Sequence, residues 1–244
     1  MRSDAYTLAA QVEEDHWWFR GRRAILRSVL NRYAPPTASP RMILEVGCGN
    51  GGNLPLLASY GRVCAVELDD GARSRASRRD VAQVEKGWLP DALPFGEERF
   101  DLIAALDVLE HVEEDRAAVR ALHGRLGPHG LLVMTVPAYK WLWNRHDEFS
   151  EHKRRYRRDQ LVALMSDVGF NVVFSSYFNT ILFPIAVAGI QLGKLFEDSA
   201  RCAMQIPPAP VNVVLEAVFS MESRLLPRVS FPYGVSILVC AFAR

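Results

Sequence analysis

The stretch RMILEVGCGNGGN, residues 41–53, constrains the fold of this chain more than any other feature. Its first six residues form a mainly apolar run of the kind that predicts a buried strand. Four glycines follow within six residues, and they allow the backbone to turn sharply and to approach a ligand closely. A strand that runs into a glycine loop and then a helix is typical of α/β proteins.

Four further apolar runs extend this pattern along the chain. They are RVCAVEL, a short VAQVEKG, FDLIAAL and GLLVMTV, and helical stretches such as residues 113–126 lie between some of them. This alternation predicts βαβ units and a parallel sheet that helices cover on both faces. Further on, we predict a helix over residues 158–168, closed by Gly169, and strands over residues 170–177 and 235–244.

Two segments flank the predicted core, which comprises residues 41–178 and 235–244. Residues 1–36 form an N-terminal helical segment, helical from about Ala5 to Tyr33 and ended by PPTASP. Residues 179–234 hold two apolar helix candidates that IPPAP separates. We interpret this helical insertion as a pocket wall or a homodimer interface, and we rank contact with a membrane surface below both.

Composition argues against several classes of protein. The formal net charge of +1 gives no global electrostatic reason to expect a nucleic acid as partner. The four cysteines lie far apart without CxxC spacing, so neither a zinc site nor a disulfide framework is indicated. The N-terminus lacks a signal peptide's apolar core, and the longest apolar run is too short to span a bilayer. We therefore expect a cytoplasmic protein.

The glycine spacing alone leaves two classes of cofactor open. Gly47, Gly49 and Gly52 satisfy the dinucleotide pattern GxGxxG, whereas Gly47, Gly49 and Gly51 satisfy GxGxG. Glu67 ends the second strand, where a carboxylate can accept hydrogen bonds from both hydroxyls of a ribose in either class. These residues predict a nucleoside cofactor without identifying it.

A longer series of motifs resembles the class I S-adenosylmethionine-dependent methyltransferases. The series is ILEVGCGNGGN, AVELD, LPF, FDLIAALDVLEHV and GLLVMTVP, and it covers about residues 42–136. A nicotinamide dehydrogenase would share the glycines and Glu67 but not LPF or LDVLEHV. The resemblance implies a Rossmann-like α/β fold, a seven-stranded sheet whose last strand is antiparallel. It also implies S-adenosylmethionine as cofactor and S-adenosylhomocysteine as product.

The resemblance implies a cofactor site as well. Glu45 and the glycine loop would line the methionine part, Glu67 would hold the ribose and Leu68 would lie beside the adenine. Trp88 stands where the family often has an acid that reads the adenine, so stacking by Trp88, a replacement acid at Asp91 and plain packing of Trp88 stay open. The full predicted set is Arg22, Arg23, Glu45, Gly47, Cys48, Gly49, Asn50, Gly51, Asn53, Glu67, Leu68, Trp88, Leu89, Leu106, Asp107 and His111.

Asp107, Glu110 and His111 follow the fourth strand, and on a helix their spacing would place them on one face. The trio is similar to that of the ubiquinone-pathway O-methyltransferases, a more distant resemblance, in which acidic residues and a histidine hold a metal. LEHV also occurs in many relatives without a metal. We therefore predict no metal and expect His111 to pack against the cofactor or to act as a general base.

The polar segment WLWNRHDEFSEHKRRYRR leaves the carboxyl end of a strand, where ligands bind in open α/β sheets. It resembles a bacterial methyltransferase subfamily with the pattern PAY…LW…HD…H..RRY. His146 and His152 join His111 as candidate catalytic residues. The basic run KRRYRR could instead contact nucleic-acid phosphates, but its charge is local, and for its downstream arginines we favour a solvated helix start.

The block HWWFRGRR precedes the first strand by about one helix. N-terminal segments in this family often fold over cofactor and acceptor as a lid, so the aromatic residues would close the pocket and Arg22 or Arg23 would pair with the cofactor carboxylate. The alternative is plain packing of the aromatics with solvated arginines. The predicted acceptor-binding residues are Trp17, Trp18, Tyr139, Trp143, Arg155 and Tyr156.

The motif series and the apolar insertion together predict a methyltransferase for a small acceptor. We expect O- or C-methylation of a hydrophobic or lipid-linked molecule. The alternatives are a nucleic-acid methyltransferase and a non-catalytic cofactor-binding protein of the same fold.

Overall fold

The computed structural model describes residues 3–193 and 205–243, which build one seven-stranded sheet. The strands are β1 Arg41–Val46, β2 Gly61–Glu67, β3 Ala82–Lys86, β4 Phe100–Leu106, β5 Leu126–Pro137, β6 Phe170–Phe178 and β7 Ser236–Ala243. The α-helices are α1 Ser3–Val12, α2 Trp17–Tyr33, α3 Leu54–Ala58, α4 Asp70–Ser77, α5 Asp115–Arg125, α6 Arg145–Phe149, α7 Arg158–Val168, α8 Phe183–Gly193 and α9 Ala209–Met221. Short 3₁₀ helices cover Leu109–His111, Lys140–Leu142 and Glu222–Arg224.

The sheet has the strand order β3-β2-β1-β4-β5-β7-β6. The first five strands are parallel, and β7 pairs antiparallel with both β5 and β6. Val46 of β1 pairs with Val66 of β2 on one side and with Ala105 of β4 on the other. The carboxyl ends of β2, β1 and β4 therefore lie side by side. This topology confirms the predicted fold class and brings the glycine loop, Glu67 and Asp107 to one edge.

Two apolar cores cover the two faces of the sheet. One core packs α2, α3 and α9 against the sheet, and the other packs α5 and α7. On the first face Trp18 stacks on Phe219 with ring centroids 5.1 Å apart, so α2 and α9 are held together by aromatic contact. The arrangement is the three-layered one that the alternating pattern predicted.

The N-terminal segment contains two helices where the sequence suggested one helical stretch. Helix α1 ends at Val12 and α2 begins at Trp17. His16 lies between them with an extended backbone, and its ring nitrogen Nδ1 accepts a hydrogen bond from the Trp18 amide at 3.1 Å. This histidine caps α2, and its extended backbone separates the two helices.

The predicted insertion, residues 179–234, holds α8 and α9, and its residues 194–204 lie outside the described residues. Glu222 is buried and accepts hydrogen bonds from the amides of Asn179, Thr180 and Ile181 at 2.6–2.8 Å, which ties the two ends of the insertion together. Several of its apolar side chains are exposed, Ile185 and Val213 by 65% and 62%. Within the described ranges no helix combines the length and the hydropathy that crossing a bilayer requires.

Candidate functional site

A cavity of about 810 Å³ opens at the carboxyl ends of β1, β2 and β4. Its volume falls in the upper part of the range that small-molecule sites occupy. The predicted site residues that line it are Trp17, Trp18, Arg22, Arg23, Gly47, Cys48, Gly49, Asn50, Asn53, Glu67, Leu68, Trp88, Leu89, Leu106, Asp107, His111, His146, His152 and Arg155. The predicted residues Glu45, Gly51, Tyr139, Trp143 and Tyr156 are not among its lining residues.

The glycine loop is fastened to the neighbouring strand and leaves one backbone face open. The amides of Gly47 and Cys48 donate hydrogen bonds to the Val66 carbonyl at 2.8 and 3.0 Å. Gly49 has a left-handed backbone with φ of +56°, and a Cβ added there would meet its nearest atom, in the Tyr6 ring, at 4.0 Å. A ligand can therefore approach the backbone at Gly49, which a side chain would obstruct.

The Glu67 carboxylate is the polar centre of this half of the cavity. It is buried and accepts hydrogen bonds from the amides of Gly49 and Asp69 at 2.8 and 2.9 Å. The Tyr6 hydroxyl donates a third bond at 3.0 Å. Burial and the Glu67 charge raise the pKa of Tyr6, so its hydroxyl stays protonated. The carboxylate thus already binds a hydroxyl group, and it is suited to bind those of a ribose.

Glu45 lies behind the cavity wall rather than on it. It is fully buried, and its Oε1 accepts a hydrogen bond from the Asn53 side chain at 3.0 Å. Its Oε2 has no hydrogen-bond partner among the described residues. Burial raises the pKa of Glu45 to about 7, against which the bond from Asn53 acts only in part. Glu45 positions Asn53, which does line the cavity.

The two adjacent arginines of α2 have different roles. Arg22 forms an ion pair with the Asp107 carboxylate, whose other oxygen accepts from the Thr135 hydroxyl at 2.9 Å. Arg23 donates to the Glu13 carbonyl at 2.8 Å and so ties α2 to the end of α1. Of the two, Arg22 contacts an acidic residue at the carboxyl end of β4, whereas Arg23 stabilises the N-terminal segment.

Exposed apolar side chains line the cavity in the half that contains Glu67. Leu68 and Trp88 are 54% and 46% exposed, and both line the cavity. Asp91, the possible replacement acid, also lines it. A flat aromatic ligand group can pack on these side chains. The geometry is compatible with adenine there, and Trp88 and Asp91 are both in the cavity wall.

The segment after β4 is helical only over Leu109–His111, so the predicted helix face of three residues does not form. Asp107 has a left-handed backbone with φ of 58° and turns toward Arg22. Glu110 is fully buried, and neither of its carboxyl oxygens has a hydrogen-bond partner in the described chain. Nδ1 of His111 is also buried without a hydrogen-bond partner among the described residues.

His152 joins these two residues from the segment after β5. The Lys153 amide donates to the Glu110 carbonyl at 2.7 Å, which brings the two segments together. Nδ1 of His152 lies 2.8 Å from Asp147 Oδ1, and Nε2 lies 4.0 Å from Glu110 Oε1. The rings of His152 and His111 are 4.7 Å apart. We call Glu110, His111 and His152 the polar corner of the cavity.

Asp147 is buried behind His152 and holds it in place. Arg155 donates to the same carboxylate oxygen at 2.8 Å, and the Asn144 amide donates to the other oxygen at 2.8 Å. Burial alone would raise the pKa of Asp147, but the hydrogen bonds from His152 and Arg155 outweigh it and lower the pKa to about 2. Asp147 is therefore a carboxylate at neutral pH.

Burial changes the charge of the other groups around His152. It lowers the pKa of His111 to about 3 and that of His146 to about 4, and the nearby His152 acts in the same direction. Burial, followed by the charge of Asp107, raises the pKa of Glu110 well above its ordinary value. At neutral pH the two histidines are therefore uncharged, and burial favours the protonated form of the Glu110 carboxyl.

Within the described part of the chain, one group of side chains has ligand-type atoms as close as a metal site requires. It is the polar corner, whose atoms lie within 4.8 Å of one another. The trio considered from the sequence contained Asp107 instead of His152. The distances between these atoms of Glu110, His111 and His152 leave room for either a metal ion or a polar group of a bound molecule.

The basic run after His152 is mostly neutralised by acidic partners. Arg154 pairs with Asp115 at 3.0 Å, Arg155 with Asp147 and Arg157 with Asp159 at 3.1 Å. The Tyr156 hydroxyl donates to Asp115 at 3.1 Å. Tyr139 stacks on Tyr177. Neither Tyr156 nor Tyr139 lines the cavity, and both pack beside it. Sequence reasoning missed Tyr6, which lies outside every motif of the series.

Comparison with known proteins adds to this geometry. A family model described as a methyltransferase domain matches residues 18–174, more than half of the chain. No curated protein matches the sequence.

Similar solved structures cover nearly the whole chain at low identity. A Haloferax volcanii putative methyltransferase, solved in complex with the Trm112 methyltransferase activator, is 15% identical with a TM-score of 0.64 over 98% of this chain and 95% of its own. An S-adenosylmethionine-dependent methyltransferase from Mesorhizobium loti is 16% identical with a TM-score of 0.57 over 94% and 99%. The [4+2]-cyclase SpnF is 18% identical with a TM-score of 0.58 over 91% and 80%. These likenesses show the fold.

Proposed function

Because this chain belongs to the methyltransferase-domain family, we propose that it transfers a methyl group from S-adenosylmethionine to a small hydrophobic or lipid-linked acceptor. The observation that carries the proposal is that the glycine loop, Glu67 and the polar corner all line one and the same cavity. A cavity of about 810 Å³ has room for a nucleoside cofactor and a second small molecule side by side.

The residues of the glycine-loop half fit the cofactor that the family uses. Gly49 presents open backbone, and Glu67 presents a buried carboxylate that already accepts a hydroxyl hydrogen bond. Arg22 is the cation that would attract the cofactor carboxylate, and Trp88 and Leu68 would contact the adenine. When bound, S-adenosylmethionine supplies a methyl group on a sulfonium sulfur. The protein then has to hold the acceptor in line with that methyl and exclude water.

The acceptor half of the cavity is built from apolar and aromatic walls. Trp17 and Trp18 line it, and both also pack against Phe219 with ring centroids 5.7 and 5.1 Å apart. These aromatics therefore serve as wall and as core at once. Ile190 of the insertion lines the cavity too, which supports a hydrophobic acceptor. The exposed apolar residues of α8 and α9 would contact a second copy of the chain or a membrane surface.

Nucleic acid is a poor candidate for the acceptor. A phosphate-binding surface needs free cations, whereas three of the four arginines in the basic run pair with Asp115, Asp147 and Asp159. The structurally similar methyltransferase from Haloferax volcanii forms a complex with an activator protein, so a protein partner is compatible with the proposal.

Calorimetric titration with S-adenosylmethionine tests the cofactor half of the proposal, and we expect saturable binding below millimolar concentration. Incubation of the protein with cell extract and methyl-labelled cofactor tests the other half. Label in an organic-extractable small molecule, with release of S-adenosylhomocysteine, is the expected result. Label in RNA or DNA would contradict the acceptor class, and binding without turnover in any extract would favour a non-catalytic protein.

A further inference from the structure

Among the described residues of the cavity wall, buried polar atoms without partners are concentrated at the polar corner. The others in lining residues are Nδ1 of His146, whose ring lies 6.2 Å from that of His152, and Oδ1 of Asn179. Both oxygens of Glu110 and Nδ1 of His111 are buried without hydrogen bonds. His152 has a side chain only 9% exposed, and its Nε2 also faces this space. A buried polar atom without a partner is costly, so this cluster indicates that a polar group of a ligand binds there.

The distances fit one oxygen atom. His152 Nε2 and Glu110 Oε1 lie 4.0 Å apart, too far for a direct hydrogen bond. An oxygen about 2.8 Å from both atoms would make an angle of about 90° between them, which a hydroxyl group can accept when it donates one bond and receives the other. Burial of Glu110 favours its protonated carboxyl, which can donate the first bond, and the Nε2 lone pair accepts the second.

We propose that the polar corner binds the hydroxyl group of the acceptor, that His152 is the base that removes its proton, and that Asp147 positions His152. This inference rests on the proposed methyl transfer and narrows it to O-methylation of an apolar phenol or alcohol. Since Asp147 fixes Nδ1 of His152 as the hydrogen-bond donor, Nε2 is the nitrogen left to accept a proton.

The step balances without a further reactant. The hydroxyl proton moves to His152 Nε2, and the acceptor oxygen forms a bond to the methyl carbon. The carbon–sulfur bond breaks with its electron pair going to sulfur, which leaves a neutral thioether. The products are a methyl ether, S-adenosylhomocysteine and a protonated His152, which returns its proton to solvent.

Asp147 and Arg155 act through His152 as positioning residues. Arg155 shares Oδ1 of Asp147 with His152 and donates to the Ala138 carbonyl at 3.0 Å, which fixes the carboxylate from behind. The charged and titratable groups around His152 are Asp147, Arg155, Glu110, His111 and His146. Of these, Asp147 is the one that contacts His152 directly with a negative charge, so it favours the protonated imidazole that the reaction forms.

The first experiment measures binding rather than turnover. The protein saturated with S-adenosylhomocysteine is titrated calorimetrically with 4-hexylphenol and with hexylbenzene, which lacks the hydroxyl. We expect the phenol to bind at least about fivefold more tightly, because the buried partners are left unpaired by hexylbenzene. Equal affinities would overturn the inference. Failure of S-adenosylhomocysteine itself to bind would count against the proposed function instead.

The variant His152→Asn isolates the proton-accepting nitrogen. Asparagine keeps an N–H near Asp147 and lacks the Nε2 position, so we expect a folded protein whose preference for the phenol falls below about twofold. His129→Asn changes an exposed histidine near the amino end of β5, whereas the cavity lies at the carboxyl ends of the strands, and it should keep the preference. A His152→Asn variant that melts like the wild type and retains the preference would refute the role of His152.

The variant Asp147→Asn tests positioning through a pH profile. Removal of the carboxylate should move the pH profile of phenol binding to lower pH, because a negative charge 2.8 Å from the imidazole is lost. Asp159→Asn, an exposed aspartate paired with Arg157, is the matched control and should leave the profile unchanged. An unchanged profile in Asp147→Asn would leave Asp147 a purely structural residue and overturn its assignment.

A metal ion is the competing occupant of the polar corner. The titrations are therefore repeated after treatment with EDTA and after addition of Mg²⁺ or Zn²⁺. The inference expects the preference for the phenol to survive EDTA. Loss of the preference with EDTA and its return with either ion would show that a metal binds the hydroxyl, and the proposal would be wrong.

Discussion

The substitution Gly49→Ala tests whether the open backbone of the glycine loop is the cofactor cradle. Gly49 has φ of +56°, and the added Cβ would lie 4.0 Å from the Tyr6 ring, so the free protein has room for it. Alanine in a left-handed conformation costs about 1–2 kcal/mol, and a gain of about 0.4–1 kcal/mol from the stiffer unfolded chain offsets part of it. The net loss of unfolding free energy should be about 1 kcal/mol.

Gly96→Ala is the matched control for backbone strain. Gly96 has φ of +51°, a Cβ there meets nothing within 4 Å, and the residue does not line the cavity. Both variants should therefore lose similar stability in thermal denaturation. They should differ in calorimetric titration with S-adenosylmethionine, because only the Gly49→Ala methyl projects into the cavity.

We expect Gly49→Ala to raise the dissociation constant at least about tenfold, a cost of about 1.4 kcal/mol, and Gly96→Ala to change it by less than about twofold. Equal weakening in both variants would show that strain, not the cradle, sets the affinity. Unchanged affinity in Gly49→Ala would mean that the cofactor does not approach this backbone at all, and the assignment of the loop would fail.

Three further predictions concern stability. In urea titrations, Gly21→Ala should lose about 1–3 kcal/mol because its Cβ would lie 2.4 Å from the Phe219 ring, whereas Gly189→Ala, with open space around it, should gain up to about 1 kcal/mol. The pKa of Glu45 is raised to about 7, so the folded protein holds this proton more tightly than the unfolded chain and loses stability as pH rises from about 4.5 to 7. Glu45→Gln should therefore be increasingly stabilising, relative to wild type, between pH 5 and pH 8. Glu222→Gln weakens the carboxylate that binds three amides of the insertion, and denaturation at pH 7 should show a loss of about 2 kcal/mol.

Local signals in the sequence were sufficient where one segment decides its own structure. The helix predicted over residues 158–168 is found as Arg158–Val168, and Gly169 closes it in a left-handed conformation with φ of 111°. The buried strands and the glycine loop were predicted for the same reason, since their apolar runs and turn residues act locally. The ordered motifs then supplied the sheet topology through the family resemblance.

Contacts between distant segments could not be predicted in this way. His152 reaches Glu110 because the chain returns after β5 and the Lys153 amide binds the Glu110 carbonyl, a meeting of residues about forty positions apart. The break at His16 depends on a histidine acting as a helix cap, for which the usual capping residues give no signal. Periodicity describes each helix and strand, but it does not say which loops meet.

Tyr6 shows why the omission matters for function. Its hydroxyl donates to Glu67 at 3.0 Å, while its carbonyl accepts from the Asn50 side chain at 2.9 Å, so α1 is bound to the groups that the cofactor needs. Three hydrogen bonds already occupy Glu67, so a ribose that brings both of its hydroxyls to this carboxylate would replace the Tyr6 hydroxyl with one of them. The exchange of one hydroxyl for another changes little in free energy. The net affinity for the cofactor therefore depends on contacts that the N-terminal segment cannot imitate, at the open Gly49 backbone and on the exposed faces of Leu68 and Trp88.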